Sequence, residues 1–259
     1  MIPLAKETVR IGVGSYTWPH EVERGQLTAS QIIDRAIKNG MDCVQLCDNL
    51  PWDSLLRLPA SSIPIELGAT GFKLLSSWID LARKIRSPIL RWVIDTADHH
   101  PDADEVIAFV RPLLSLLEAQ ETILAIENHD RFPASVLAGI VTELDSLFVG
   151  ICLDTANSIG AGEGIGAVLE ALAPHAVCLH LKAVSIHRVP NKMGFRVQGA
   201  KPNEGVVDFA TTWTAIATRG RCQSVILEQW PPDPAFEYEW AEAGIAWMKS
   251  HFGKEKETK

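Results

Sequence analysis

The chain has 259 residues, 47% of them hydrophobic and 22% charged, with 18 Gly and 15 Pro. These values exclude collagen-like, disordered and disulfide-scaffold classes. The formal charge of −8, from 24 Lys and Arg against 32 Asp and Glu, comes with no basic stripe, which argues against nucleic acid as a partner.

Cys43, Cys47, Cys152, Cys178 and Cys222 are odd in number and lie in apolar runs without a C-x-x-C pair, as reduced thiols do. Lys6, Glu7 and Arg10 stand where a signal peptide needs an apolar stretch, and no window approaches 18 uncharged apolar residues. The expectation is a cytoplasmic protein without a membrane span.

In chain order, the first apolar β-rich run covers 9–16, and a helix follows that Thr28 or Ser30 can cap and Gly40 ends. A strand at 43–49 leads to a weak helical pattern at 51–58 and a strand at 64–70. The helix at 72–86 is stopped by Ser87-Pro88 and followed by a strand at 89–96. The spacing of Val106, Phe109, Val110, Leu113, Leu114 and Leu117 predicts one helix over 102–119. Strands at 122–130, 148–157 and 176–183 alternate with helices at 133–144 and 165–173.

A longer segment at 184–207 interrupts the rhythm, with His187, Arg188, Lys192, Arg196 and Lys201 making it a basic loop on an acidic chain. Loops of that length often serve function. A helix at 208–219, a strand at 223–230, a helix at 235–250 and a charged tail at 252–259 complete the order. Eight strands and eight helices at about 32 residues per unit predict one (β/α)8 TIM barrel over 1–259. Near-continuous apolar runs such as Ile-Leu-Ala-Ile-Glu, ending at Glu127, fit parallel strands covered on both faces.

In such a barrel the chemistry sits at the C-terminal ends of strands. Four of these ends drop an ionisable group into an apolar run: Glu127 on strand five, Asp154 on six, His180 on seven and Glu228 on eight. Parity places each on the face of its small or apolar neighbours: Ala125 with Glu127, Cys152 with Asp154, Cys178 with His180, Ile226 with Glu228. Taken singly, Glu127 could accept N–H bonds at a helix start and His180 could be a satisfied core histidine. Four such groups on consecutive strands favour a bound cation, because unpaired buried charge is costly. Three carboxylates and one imidazole suit Mn²⁺ or Mg²⁺, with Co²⁺ or Zn²⁺ as further options.

Here the chain resembles the xylose isomerase-like barrels of the sugar phosphate isomerase/epimerase superfamily. Their ligands, Glu, Asp, His and Glu on strands five to eight, would fall on Glu127, Asp154, His180 and Glu228. The stretch Asn203-Glu204-Gly205-Val206-Val207-Asp208 is similar to the family's G-x-G-x-x-D, with Asn203 in place of the first glycine. The resemblance implies a metal holding a carbonyl and a neighbouring hydroxyl of an open-chain sugar, with Glu127 and Glu228 exchanging a proton. Under it, His129, Asn157, Lys182, Arg188 and Arg196 become candidates for holding hydroxyls, a carboxylate or a phosphate. Trp18, Trp52 and Trp230 could offer flat walls to a sugar.

Asn157 stands where many relatives carry histidine, and Ala183 where many carry aspartate. An amide binds a hydroxyl but cannot shuttle a proton. The first expectation is a metal-dependent sugar or sugar-acid isomerase/epimerase. The second is a lyase of the same fold, a 3-oxo sugar acid decarboxylase or a dehydratase. An AP endonuclease, which needs more histidines, and a non-catalytic binding protein rank lower. Barrels of this kind often pair, which leaves a homodimer open.

Overall fold

A computed structural model describes residues 9–190 and 193–252. Lys192 and all of the expected charged tail except Phe252 therefore lie outside the described residues. Ten strands and ten α-helices run in the order β1 (Arg10–Gly14), α1 (Pro19–Glu23), α2 (Ala29–Lys38), β2 (Cys43–Cys47), α3 (Trp52–Leu55), β3 (Ile65–Thr70), α4 (Leu75–Ile85), β4 (Ile89–Val93), α5 (Ala103–Val110), α6 (Leu114–Gln120), β5 (Ile123–Glu127), α7 (Ala134–Leu144), β6 (Val149–Asp154), α8 (Ile165–Leu172), β7 (Ala176–Leu181), β8 (Val184–Arg188), β9 (Phe195–Gly199), α9 (Phe209–Arg219), β10 (Ser224–Leu227) and α10 (Glu237–Phe252).

Eight strands close a parallel barrel in the order β1-β10-β7-β6-β5-β4-β3-β2, so β10 is the eighth barrel strand. The outward faces of the strands, including Leu46, Leu67, Trp92, Leu124, Ile126, Leu153 and Leu179, are sealed under the helices. Thr28 caps α2 through the Gln31 N–H and Asp102 caps α5 through the Glu105 N–H, each in a reciprocal capping box. No helix among the described residues is long and apolar enough to cross a membrane.

Three elements differ from the sequence expectation. The helix read over 102–119 is two helices, with a 3₁₀ turn at Arg111–Leu113 between them. Pro112 lacks the N–H that would continue the ladder. The 51–58 pattern shrinks to the single turn α3. The long segment after β7 is not irregular: β8 and β9 pair as an antiparallel hairpin, with His187 opposite Arg196 and Arg188 opposite Phe195. Asn203 takes a left-handed φ of 63°, which asparagine tolerates better than most residues, and so can stand where the family has glycine.

The lower end of the barrel holds an acid remote from the strand-end group. Glu66 is fully buried, accepting from Gln45 at 3.4 Å and Ser224 at 3.1 Å, with the Arg10 guanidinium 3.5 Å away. Burial, then the nearby Cys178, pushes its carboxyl up from 4.5 to about 7. The folded state thus binds the proton more tightly than the unfolded chain does. The stabilisation is complete below pH 4.5 and is lost as pH rises through about 7. That swing amounts to roughly 3 kcal/mol. Urea unfolding at about pH 5 and about pH 8 should show it in the native chain, and Glu66→Gln should flatten it. An unchanged pH slope in the variant would refute the assignment.

Candidate active site

The barrel brings Glu127, Asp154, His180 and Glu228 together at the C-terminal ends of β5, β6, β7 and β10. One ligating atom from each lies within 4.8 Å of the others, and all four residues are buried. Register explains the convergence: Asp154 pairs with His180 across β6 and β7, and Glu127 pairs with Cys152 across β5 and β6.

Backbone and amide groups fix the acid on β6. Asp154 Oδ1 accepts from the N–H groups of Ala156 at 2.7 Å and Asn157 at 2.8 Å. This leaves Oδ2 to face the centre. Asn128 clamps the Asp154 backbone from both sides, donating to its carbonyl at 2.9 Å and accepting from its N–H at 2.7 Å. Thr155 does the same for β7, donating to the Lys182 carbonyl at 2.6 Å and accepting its N–H at 2.9 Å.

Two cations stand among the acids. Lys182 Nζ lies 2.9 Å from Asp154 Oδ2 and 3.3 Å from Glu228 Oε2, and donates to Asn157 Oδ1 at 3.1 Å. Arg91, on β4, donates through Nε to Glu127 Oε2 and lies over the Tyr16 ring at 5.7 Å. Asn157 Nδ2 donates to the other Glu127 oxygen at 2.8 Å. His180 Nδ1 is 3.0 Å from Glu228 Oε2 and 3.9 Å from Glu127 Oε2.

Burial opposes charge on Glu228, Lys182 and Asp154, and their pairings decide which keep it. Burial works against the Glu228 carboxylate, but Lys182 and then His180 outweigh it and hold the carboxyl well below its usual range. The Lys182 ammonium is likewise disfavoured by burial, yet Asp154, Glu228 and Glu127 hold its pKa above that of a free lysine. Asp154 goes the other way: burial raises its carboxyl, Lys182 pulls it down, and the Glu228 and Glu127 charges push it up.

The donor set fits a divalent ion. Asp154 Oδ2, Glu228 Oε2 and His180 Nδ1 are buried and converge on one point, held there only by ion pairs with Lys182 and one another. Buried acceptors massed in this way call for a further cation. The four residues would hold the ion, in an oxygen-rich set that suits a hard cation.

The other sequence candidates scatter. Lys182 and Asn157 join the site. His129 is half-exposed, 3.6 Å from Asp130 Oδ2. Arg188 and Arg196 lie exposed on the β8–β9 hairpin, with Arg188 over the Phe195 ring at 4.7 Å. Trp18 is 3% exposed in the core beneath the Arg35 guanidinium, and Trp52 packs edge-on against Trp78. Trp230 is 43% exposed, near Tyr16 and His20.

Three residues escaped the sequence reading: Arg91, Asn128 and Thr155. Arg91 carried a signal. It shares parity with Ile89, a residue of the barrel interior, and a charge on that face of a buried strand demands a partner. Gly68 beside it makes room for Cys47: a methyl there would sit 2.3 Å from Cys47 Sγ, and at an ordinary 3.4 Å from Arg91 Cδ.

Comparison with known proteins agrees with this architecture. Over 234 residues the chain is 27% identical to a 3-oxo-isoapionate decarboxylase of Pectobacterium atrosepticum, covering 86% of this chain and 85% of that protein. A xylose isomerase-like TIM barrel protein from Mycobacterium smegmatis, solved in complex with magnesium, superposes with a TM-score of 0.71 at 15% identity, covering 95% of this chain and 98% of that one. A D-psicose 3-epimerase solved in the presence of D-fructose gives a TM-score of 0.68 at 13% identity, over 95% and 100% of the two chains. The family described as xylose isomerase-like TIM barrel matches residues 19–251. That match runs from the start of α1 into α10, and the chain belongs to this family.

Proposed function

We propose that the protein is a divalent-metal-dependent decarboxylase of a small 3-oxo sugar acid. The observation that carries this reading is the pair of buried cations, Arg91 and Lys182, set among three carboxylates. Glu127, Asp154 and Glu228 outnumber those two cations by one negative charge. A divalent ion leaves the site one charge positive, a balance matched by an acid rather than a neutral ketose. The relative from Pectobacterium, which acts on a 3-oxo acid by its name, supports the same reading.

The bound ion would supply a Lewis acid for the 3-oxo oxygen. The chain's own residues hold the reactant and its charge. Lys182 and Asn157 stand at the less enclosed side of the site. There the ammonium can donate a charge-assisted hydrogen bond to the oxygen that gains charge as the carbon–carbon bond breaks. Carbon dioxide leaves, the bonding pair becomes an enolate, and solvent returns a proton to carbon. No side chain needs to abstract a proton. This suits a site where Glu127 is tied by Arg91 and Asn157 and Glu228 is tied by His180 and Lys182. Glu228, held ionised by Lys182 and His180, makes a weak base.

Isomerisation or epimerisation is the second reading. It is favoured by Glu127 and Glu228 entering the site from separated strands, β5 and the end of β10, as a two-base exchange requires. Incubating the Mn²⁺-loaded enzyme in D₂O with a panel of 3-oxo sugar acids and ketoses separates the two. Decarboxylation should release carbon dioxide and leave deuterium on the carbon that bore the carboxylate. Deuterium entering a ketose of unchanged carbon count, with no gas released from any acid, would replace the lyase by the isomerase.

A further inference from the structure

One layer below the strand-end donors the barrel holds a second, chemically different set. Cys152 on β6 pairs directly with Cys178 on β7. Each lies two residues before a member of the upper set, Asp154 or His180, and so points into the same interior. Both thiols are free and fully buried. Their sulfurs and a ring nitrogen of His180 lie within 4.8 Å of one another. Gln45 Nε2 lies 3.9 Å from Cys178 Sγ, Ser224 and Arg91 approach from β10 and β4, and the Glu127 and Glu66 carboxylates stand near Cys152 and Cys178 respectively. His180 Nδ1 faces the carboxylates, at 3.0 Å from Glu228 Oε2 and 3.9 Å from Glu127 Oε2, and the imidazole also reaches the Cys178 thiol.

We infer that Cys152, Cys178 and His180 form a site for a thiophilic d¹⁰ cation, distinct from the oxygen-rich site above it. Two thiolates and an imidazole select soft or borderline ions, whereas the upper carboxylates select hard ones. Binding a divalent ion in place of two protons of the Cys152–Cys178–His180 group leaves the charge of the barrel interior unchanged, and Arg91 meets no added repulsion. The two sites share one imidazole. A neutral ring carries its proton on one nitrogen and offers a lone pair on the other. It can therefore serve the upper ion or the lower one, and occupancy below withdraws a ligand from the site above. The inference concerns a different ion from the proposed catalytic one and stands apart from the choice of reaction.

Cadmium serves as the probe. Titration of the metal-free full chain with Cd²⁺ should raise an ultraviolet thiolate-to-cadmium charge-transfer band that saturates near one ion per chain. The band should survive Cys222→Ser, which removes the only partly exposed thiol among the described residues, and vanish in Cys152→Ser and in Cys178→Ser. ¹¹³Cd NMR of the unsubstituted chain counts the sulfur ligands without any variant, and two are expected. Cadmium-loaded protein should bind Mn²⁺ at least about tenfold more weakly than metal-free protein, the loss expected when a ligand environment is disrupted. A resonance with no sulfur ligand, a band that persists in both serine variants, or Mn²⁺ affinity indifferent to cadmium would overturn the proposal.

Discussion

Under the proposed function, Glu228→Ala should abolish divalent-ion binding and turnover together. Glu228 supplies a buried oxygen that has ion-pair partners but no hydrogen bond, and it holds both His180 and Lys182 in place. Loss of a mere outer-shell partner typically weakens metal binding 10–100-fold, so loss of a direct donor should exceed about 100-fold. Turnover should fall by on the order of 10³, because several kcal/mol of charge stabilisation leave with the ion. Elemental analysis after dialysis reads the first effect and the rate of carbon dioxide release reads the second. Unchanged metal content with unchanged turnover would remove the site from consideration.

Lys182→Met should separate the two properties that Glu228→Ala loses together. The ammonium sits 2.9 Å from Asp154 Oδ2, where it competes with any cation for that oxygen. Without it, Mn²⁺ should bind more tightly, as calorimetry would show. The metal-free variant should be less stable by about 3–5 kcal/mol, the usual result of removing one partner of a buried ion pair, and Mn²⁺ should restore the loss. Carbon dioxide release should nonetheless drop about 10²–10³-fold, as when a donor to a developing oxyanion is deleted. If the methionine variant turned over at the native rate, Lys182 would be a counter-ion only and the charge argument for an acid substrate would lose its main support.

The architecture was legible because parallel strands leave a coarse pattern: a short apolar run, a helical period, a turn, repeated around the barrel. The four strand-end donors could be read for a similar reason, since each is a lone ionisable group on the inward parity of a strand. What could not be read depends on distances across the barrel. Nothing local to Arg91 announces that Glu127, 36 residues away, will receive its guanidinium. The grip of Asn128 on Asp154 is likewise invisible until β5 and β6 lie side by side. The hairpin residues Arg188 and Arg196 present the opposite case. Their charge and their place in a long connection made them attractive, but the β8–β9 hairpin is exposed on both faces and carries one of them on each.

Gly199, the last residue of β9, accounts for how that hairpin is mounted. A methyl at this position would stand 1.9 Å from the Trp230 carbonyl oxygen, so the two backbones touch with no space for a side chain between them. At the same end the hairpin is stitched to the rim by the Ala200 N–H donating to Ala183 and the Val206 N–H donating to Val184. It is thus braced at its root against the residue two places beyond Glu228, and works as a fixed buttress for that glutamate more than as a flap over the mouth.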